Sequence, residues 1–373
     1  MESRELAFGR NLKSLRKKAG LTRVELAQRI AYSEKAVEKW EAGASVPPMD
    51  TVCALAALFG VSLDALVLRD EGEAAFLLGI DGGGTKTEFL LTDLSGQALQ
   101  RVVLGASNPN DIGMDASKAV LRQGIGQVCE GIDLREVSMF AGLAGGTVGD
   151  NRRKLEEFFA GFGFWCCGNG SDVENALQLA LNGGDGNAVI MGTGIAVFSQ
   201  HNGQRHQIGG WGYLLDRGGS GFNLGAQVLE TALRHLDGRG GSALLAELAE
   251  KQLGKPVTAA IPQIYQRGKP FVASFAPLAF DAFEQGDREA RQIIDRNVRE
   301  AVEMIRAGYR FLPDQRAKTV ICGGLSHKRD VLLPWFLRYL GDDFPLSFCT
   351  EPMVNGAVAL ARTQIRSTGG SLC

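Results

Sequence analysis

Apolar positions recur at helical spacing through roughly the first sixty residues and give way to short strand-like runs from Phe76 onward. Phe8, Leu12 and Leu15 stand at i, i+4 and i+7, which predicts a helix with one apolar face. Thr22-Arg23-Val24-Glu25 is a capping box, with Leu21 in front of it to staple the start of a second helix. Leu26 and Ile30 carry that helix inward as far as Ala31-Tyr32. Ser33 then caps a third helix, in which Val37 and Trp40 share one face while Lys35, Glu38 and Lys39 point elsewhere. Gly43 ends it, Pro47-Pro48 blocks continuation, and Val52, Leu55, Ala56 and Phe59 form a fourth stripe. The expectation is an all-α first domain over residues 1–68, followed by a polar, acidic linker over 69–75.

The next pattern is different. Residues 76–80 form an apolar run ending in Asp81-Gly82-Gly83-Gly84-Thr85-Lys86, and a second strand follows over 88–92. A Ser95-Gly96 turn leads to a third strand over 98–104. Strand, glycine turn, strand is neither the Rossmann fingerprint, which opens a helix, nor the Walker loop, which needs Gly immediately before Lys where this chain has Thr85. Three consecutive glycines exceed what a hairpin needs, and bare backbone amides can wrap an anion, which favours an anion loop. The layout recurs: a strand over 187–191, the turn Gly192-Thr193-Gly194, a strand over 195–200, the Asn202-Gly203 turn and a strand over 204–208. Thr85 and Thr193 occupy equivalent turns, which suggests duplicated lobes that pinch a phosphate chain. Gly323-Gly324, closing a strand over 319–322, is a third cue.

Composition narrows the class. Apolar residues make up 45% and charged residues 22%, with a net charge of −2, so no globally basic nucleic-acid coat is present. Residues 1–70 carry 11 basic against 9 acidic side chains, a weak local excess. Arg10, Lys13 and Lys17 share a face of the first helix and could meet phosphates. No apolar run follows the first charges, and the stretch 52–68 is broken by Asp64 and too short for a membrane span. Seven cysteines show no CxxC spacing. A cytoplasmic protein with reduced thiols and no membrane partner is expected.

Helix, tight turn, helix in about 20 residues is the helix-turn-helix arrangement. Residues 21–67, with the Trp40-Glu41-Ala42-Gly43 ending, resemble the Xre-like (Cro/C1-type) DNA-binding domain. The bland alternative is a helical bundle used only for dimerisation. The resemblance implies operator DNA as a partner, a homodimer, and Thr22, Ser33, Glu34, Lys35, Glu38 and Lys39 at the DNA, the last five facing the major groove.

The segments IDGGGTKTEFLLTD, SNPNDIG, AGLAGG, NGSDVENAL, VIMGTG, GGWGYLLDRGGSG and ICGG resemble, in this order, the N-acetylglucosamine kinase and BadF-type ATPase family. That family belongs with the sugar kinases, actin and heat-shock chaperones. The resemblance implies a two-lobed α/β actin-like (ribonuclease H-like) ATPase, lobe I over 76–185 and lobe II over 186–373, using ATP and Mg²⁺ to phosphorylate an amino sugar or related hexose. It makes Asp172 the base, Gly82–Thr85 (including Gly83 and Gly84) with Lys86 at its edge the first phosphate loop, and Thr193-Gly194 the second. Asp81 becomes the anchor that holds magnesium through the ion's own waters, and Gly323 and Gly324 lie against adenosine. Asn108, Gly145, Gly146, Trp211, Gly212, Asp216 and Arg217 fall in the sugar-contacting segments. The Ser171-Asp172-Val173-Glu174 capping box independently puts Asp172 in a first helical turn, where the dipole favours a carboxylate.

Two departures matter. After GGWG the kinases carry Gly-Asp-Glu-Gly-Ser; here Asp216-Arg217-Gly218-Gly219-Ser220 puts an arginine where a sugar-contacting aspartate is expected. After Gly194 the kinases have a small polar pair, and here it is Ile195-Ala196. The ATP side is better kept than the sugar side, so a non-catalytic regulator that senses sugar and nucleotide stands as the alternative. Cys166-Cys167 is vicinal, so no iron–sulfur cluster is expected. His201 and His206 read as surface residues, and the cysteine-rich zinc motif of the sister repressor/kinase family is absent.

Overall fold

The structure, a computed structural model, describes residues 8–61, 63–67, 74–314 and 317–368. Most of the expected linker lies outside the described residues. The chain divides into two compact units: residues 1–75 together with 132–137 and 163–165, and a larger unit of 76–131, 138–162 and 166–373.

The helical part consists of α1 (Phe8–Lys18), α2 (Arg23–Arg29), α3 (Glu34–Glu41), α4 (Met49–Phe59) and the short α5 (Leu63–Val67). Local chemistry sets its helix starts. The Thr22 hydroxyl accepts from the Glu25 amide at 3.2 Å, and the Thr22 amide donates to the Glu25 carboxylate at 2.7 Å. The Ser33 hydroxyl accepts from the Ala36 amide at 3.2 Å. Phe8, Leu12, Leu26, Val37, Trp40, Val52 and Leu55 bury together, so the stripes read from the sequence meet in one core. An ion-pair network runs through it. Glu41, its side chain only 1% exposed, accepts from Arg16 Nε at 2.5 Å and from Arg23 Nε at 2.8 Å.

The larger part is built on two five-stranded sheets. The first holds β1 (Phe76–Gly82), β2 (Thr87–Asp93), β3 (Ala98–Leu104), β4 (Val137–Leu143) and β5 (Cys166–Gly170), in the order β3-β2-β1-β4-β5. The second holds β6 (Gly186–Met191), β7 (Ile195–His201), β8 (Gln204–Gly209), β9 (Thr319–Cys322) and β10 (Leu346–Phe348), in the order β8-β7-β6-β9-β10. In each sheet the first three strands run antiparallel, and the fourth and fifth pair in parallel. The two sheets therefore repeat one topology, the duplication suggested by the glycine turns.

The helix Asp172–Leu181 joins the sheets. Its Leu177, Ala180 and Leu181 bury against Ala188, Phe198 and Val320 of the second sheet. One turn earlier, Asn175 Nδ2 lies 3.3 Å from the Ile80 carbonyl and 3.4 Å from that of Gly142, both in the first sheet. The last helix is Val354–Thr368. Val354, Ala357, Val358 and Ala361 bury against Leu77, Leu90 and Phe140, so the chain returns to the first sheet. The i, i+3, i+4, i+7 stripe was readable, but a stripe does not say which sheet it covers. Over the second sheet, the helix Arg288–Gly308 buries Ile293, Ile294, Val298, Ala301, Val302 and Ile305. No helix among the described residues is long and apolar enough to cross a membrane.

Candidate functional site

The first cluster forms where β1 ends. Asp81 sits at its tip, and Asn175 Nδ2 donates to its Oδ1 at 2.8 Å. Burial pushes the Asp81 carboxyl up to about 6 against that hydrogen bond, and the neighbouring charges of Asp172 and Glu88 push the same way. Asp172 opens its helix as expected. Its Oδ1 accepts from the Ser171 hydroxyl at 3.0 Å and from the Val173 amide at 3.1 Å. Burial raises its pKa against those bonds. Asp81 and Asp172, far apart in sequence, thus share one half-buried region, with Asn175 between the sheets holding the first of them. Asn175 was missed, although it stands one turn past Asp172 on the same helix face.

Beside these carboxylates the turn Gly82–Thr85 leaves Gly84, Thr85 and Lys86 exposed, while Gly82 is buried. A Cβ on Gly82 would stand 2.4 Å from Leu143 and Ser107, so that glycine is required by packing. Lys86 Nζ lies 3.1 Å from Glu88, which Arg101 also engages. Asn108 and Gly145 come together nearby: a Cβ on Gly145, at φ +70°, would meet Asn108 Oδ1 at 2.3 Å. Gly146 is buried against the Leu143 carbonyl.

The second cluster surrounds the turn Gly192-Thr193-Gly194, where Thr193 is exposed. A cleft there is lined by Gly194, Ile195, Gly212, Tyr213, Asp216 and Lys269, among others. Asp216 accepts from the Gly212 amide at 3.0 Å, which shapes the loop. Trp211 projects from that loop, 64% exposed. Arg217 is exposed, is not in the cleft lining, and forms no ion pair among the described residues. Ile195 is buried and contributes to the core of the second lobe. Gly323, at φ +97°, is held bare by the Met191 backbone, where a Cβ would come within 2.6 Å of the carbonyl oxygen; Gly324 faces open space. Lys269 was missed because it comes from a distant helix with no motif to mark it.

In the helical part Thr22, Ser33, Glu34, Lys35, Glu38 and Lys39 are all exposed. Two of them also serve the fold, since the Thr22 and Ser33 hydroxyls are engaged in helix caps. Lys13 and Lys17 are exposed on α1; the side chain of Arg10 lies outside the described residues. His201 pairs with Asp185 at 2.7 Å, and His206 stacks on Phe311 at 4.1 Å, which accounts for both histidines structurally.

Two sheets of one topology, each opening on a glycine turn, with a carboxylate-bearing helix between them, define a two-lobed actin-like ATPase preceded by a helix-turn-helix domain. The chain belongs to the BadF/BadG/BcrA/BcrD ATPase family, whose model matches residues 78–339, and a helix-turn-helix domain model matches residues 7–68. It is 28% identical over 307 residues to an N-acetylmuramic acid/N-acetylglucosamine kinase of Clostridium acetobutylicum, covering 78% of this chain and 99% of that one. An N-acetyl-D-glucosamine kinase of Dictyostelium discoideum is also 28% identical, over 75% of this chain and 96% of that one. Over 66 residues the chain is 32% identical to an Enterococcus faecalis protein, the HTH-type transcriptional activator BcrR, covering 18% of this chain and 32% of that one. Among solved structures, one provisionally described as an N-acetylglucosamine kinase from Chromobacterium violaceum has a TM-score of 0.62 at 26% identity, over 77% of this chain and 99% of that one. A ROK family transcriptional regulator shares the fold at 13% identity, with a TM-score of 0.52 over 97% of this chain and 96% of that one. The protein is a DNA-binding, sugar-kinase-like ATPase.

Proposed function

We propose that the chain transfers the γ-phosphoryl group of ATP to an amino sugar or related hexose and that sugar and nucleotide together alter its affinity for operator DNA. The observation that carries the catalytic part is the carboxylate pair: Asp172 in the first turn of the interlobe helix, close enough to Asp81 for its charge to act on it. In the reaction a sugar hydroxyl oxygen forms the new P–O bond, the bond to ADP breaks, and the hydroxyl proton passes to Asp172. The transition state is largely dissociative, so Asp172 mainly orients the hydroxyl and takes its proton late. The oxygen donors beside the first glycine turn, with Asp81 desolvated next to a second carboxylate, fit a hard divalent cation such as Mg²⁺. Asp81 would hold it, and the cation would neutralise phosphate charge. The glycine turns of the two sheets would grip the nucleotide from both lobes, with the helix Asp172–Leu181 as the element that links them.

Arg217, next in sequence to the cleft residue Asp216 though outside the cleft lining, favours a sugar whose anion extends out of the cleft to meet it. A guanidinium without a carboxylate partner offers paired donors to such a group, and N-acetylmuramic acid, named for the Clostridium relative, carries a carboxylate. An ADP-release assay across neutral and acidic amino sugars, with and without Mg²⁺, tests the activity. Turnover should be sugar-dependent, and Arg217→Met should raise KM for an acidic sugar by about tenfold, one charged hydrogen bond, while sparing a neutral one. Sugar binding with no ADP release for any sugar would instead establish the regulator that only senses.

The coupling to DNA has its own check. By linkage, sugar plus nucleotide must change operator affinity by the same factor as operator changes sugar affinity. Fluorescence anisotropy on a selected operator, titrated with each ligand singly and together at fixed salt, should show a shift with both. An affinity unchanged within about twofold, a difference of less than RT, would make the fusion a mere tether.

A further inference from the structure

The notable backbone outlier of the second lobe lies in the helix Val257–Ala273. Gly268 adopts φ 62°, ψ −152° inside it, splitting two helical stretches between Pro262 and Pro270. That region of backbone space is essentially closed to residues with a Cβ, and such strain persists where surrounding structure imposes it. Space does not demand the glycine, because a Cβ there would meet nothing within 4 Å. What the kink achieves is to present the next residue. Lys269 turns into the cleft, its Nζ 3.5 Å from where a Cβ on Gly194 would stand and 5.9 Å from the centre of the Tyr213 ring. The ring face supports the ammonium from one side. No carboxylate pairs with Lys269 among the described residues.

The lysine of the first glycine turn is placed otherwise. Lys86 Nζ is 3.1 Å from Glu88, a carboxylate it shares with Arg101, so it is engaged within the first sheet. The second turn itself is rigidly anchored. The Gly192 carbonyl accepts from the Gly221 amide at 2.7 Å, and the Thr193 carbonyl accepts from the Phe222 amide at 3.1 Å. Its carbonyls are thereby occupied, and the cation among the residues lining the cleft is Lys269.

We propose that Lys269, rather than Lys86, is the side-chain cation that meets the β- and γ-phosphates of the nucleotide, delivered to the second glycine turn by the Gly268 kink. It rests on the ATPase reading above and adds the residue that neutralises the phosphate chain. A lysine serves here as a compact point charge, able to follow the phosphate as the lobes move.

Calorimetric titration of the full chain with a non-hydrolysable ATP analogue, ADP, AMP and adenosine tests it without requiring turnover. Lys269→Met should weaken the ATP analogue and ADP by about tenfold to a hundredfold, the range of a hydrogen bond to a charged group, and leave adenosine within about twofold. Lys269→Arg should recover most of the loss, and Lys86→Met should cost less than about threefold, as for an exposed charge held to a carboxylate. Gly268→Ala, which cannot keep the kink, should reproduce the Lys269→Met profile. Equal weakening of adenosine would show a packing role and overturn the proposal, as would unchanged binding or a larger loss in Lys86→Met. A loss confined to acidic sugars would also overturn it, placing Lys269 at the sugar. Failure of the unaltered chain to bind any nucleotide would remove the ATPase reading itself, an outcome distinct from normal binding that ignores Lys269.

Discussion

Asp172→Asn should lower sugar-dependent ADP release by about a hundredfold or more, the usual contribution of a positioned base. The amide is the same size and its oxygen can still accept from the Ser171 hydroxyl and the Val173 amide, the two bonds that hold Asp172 in place. The helix Asp172–Leu181 should therefore start as before, because its cap belongs to Ser171 and Glu174. What the variant loses is the capacity to take a proton. Nucleotide affinity should hold, so calorimetry with an ATP analogue separates a chemical defect from a folding one. Normal turnover in this variant would reduce Asp172 to an element of helix-end electrostatics. Asp172→Ala should do the same damage to turnover and also leave the Ser171 hydroxyl without its acceptor.

The second large effect is expected in the helical domain. Glu41→Gln should destabilise it by about 3–5 kcal/mol, because removing one partner of a buried ion pair leaves the other uncompensated. Arg16 is the partner at risk, with its side chain 9% exposed and its Nη1 already donating to the Leu21 carbonyl at 2.7 Å. Arg23 is more exposed and can turn to water. Hydrogen exchange across α1 to α4 in the full chain should show the loss, with operator affinity falling in step and nucleotide binding unchanged. The same pair sets a pH dependence. Burial pushes the Glu41 carboxyl up, but hydrogen bonds from Arg16 and Arg23 outweigh it and hold the folded-state pKa below the ordinary 4.5. A depressed carboxylate contributes stability that is complete above its unfolded value and is lost as pH falls through the folded one. Protection of these helices should therefore decline below about pH 4.5 in the unaltered chain and much less in Glu41→Gln. Equal acid sensitivity in both would assign the effect to other carboxylates.

Much of the candidate site was legible because its parts are local. Thr22 with Glu25, Ser33 with Ala36 and Ser171 with Glu174 are contacts across three residues, so the sequence spells both partners within one turn. The glycine turns were equally plain, since two strands and a turn form a continuous segment and the second copy repeats the first. The family resemblance then ordered the segments, and it gave Asp172 a role that its helix-start position only permits.

Other features depend on residues that meet only after folding. Asn175 holds Asp81 from 94 residues away, and Arg16 holds Glu41 from 25. Each reads in the sequence as an ordinary polar residue on a helix, because neither periodicity nor capping reveals a partner on another element. Lys269 reads as a surface lysine next to a proline until the Gly268 kink turns it to the second glycine turn. The last helix shows its apolar stripe plainly, yet only packing decides that Val354 to Ala361 cover the first sheet and not the second. The sequence by itself determined the elements, their caps and the paired glycine turns, because those follow from interactions within a few residues, while the domain classes came from the family resemblance of its ordered segments. The tertiary structure alone decided which carboxylates share a region, which charges are already paired and which cation is left to meet a ligand. Those outcomes depend on distances between segments, and only the packing of the sheets and helices sets such distances.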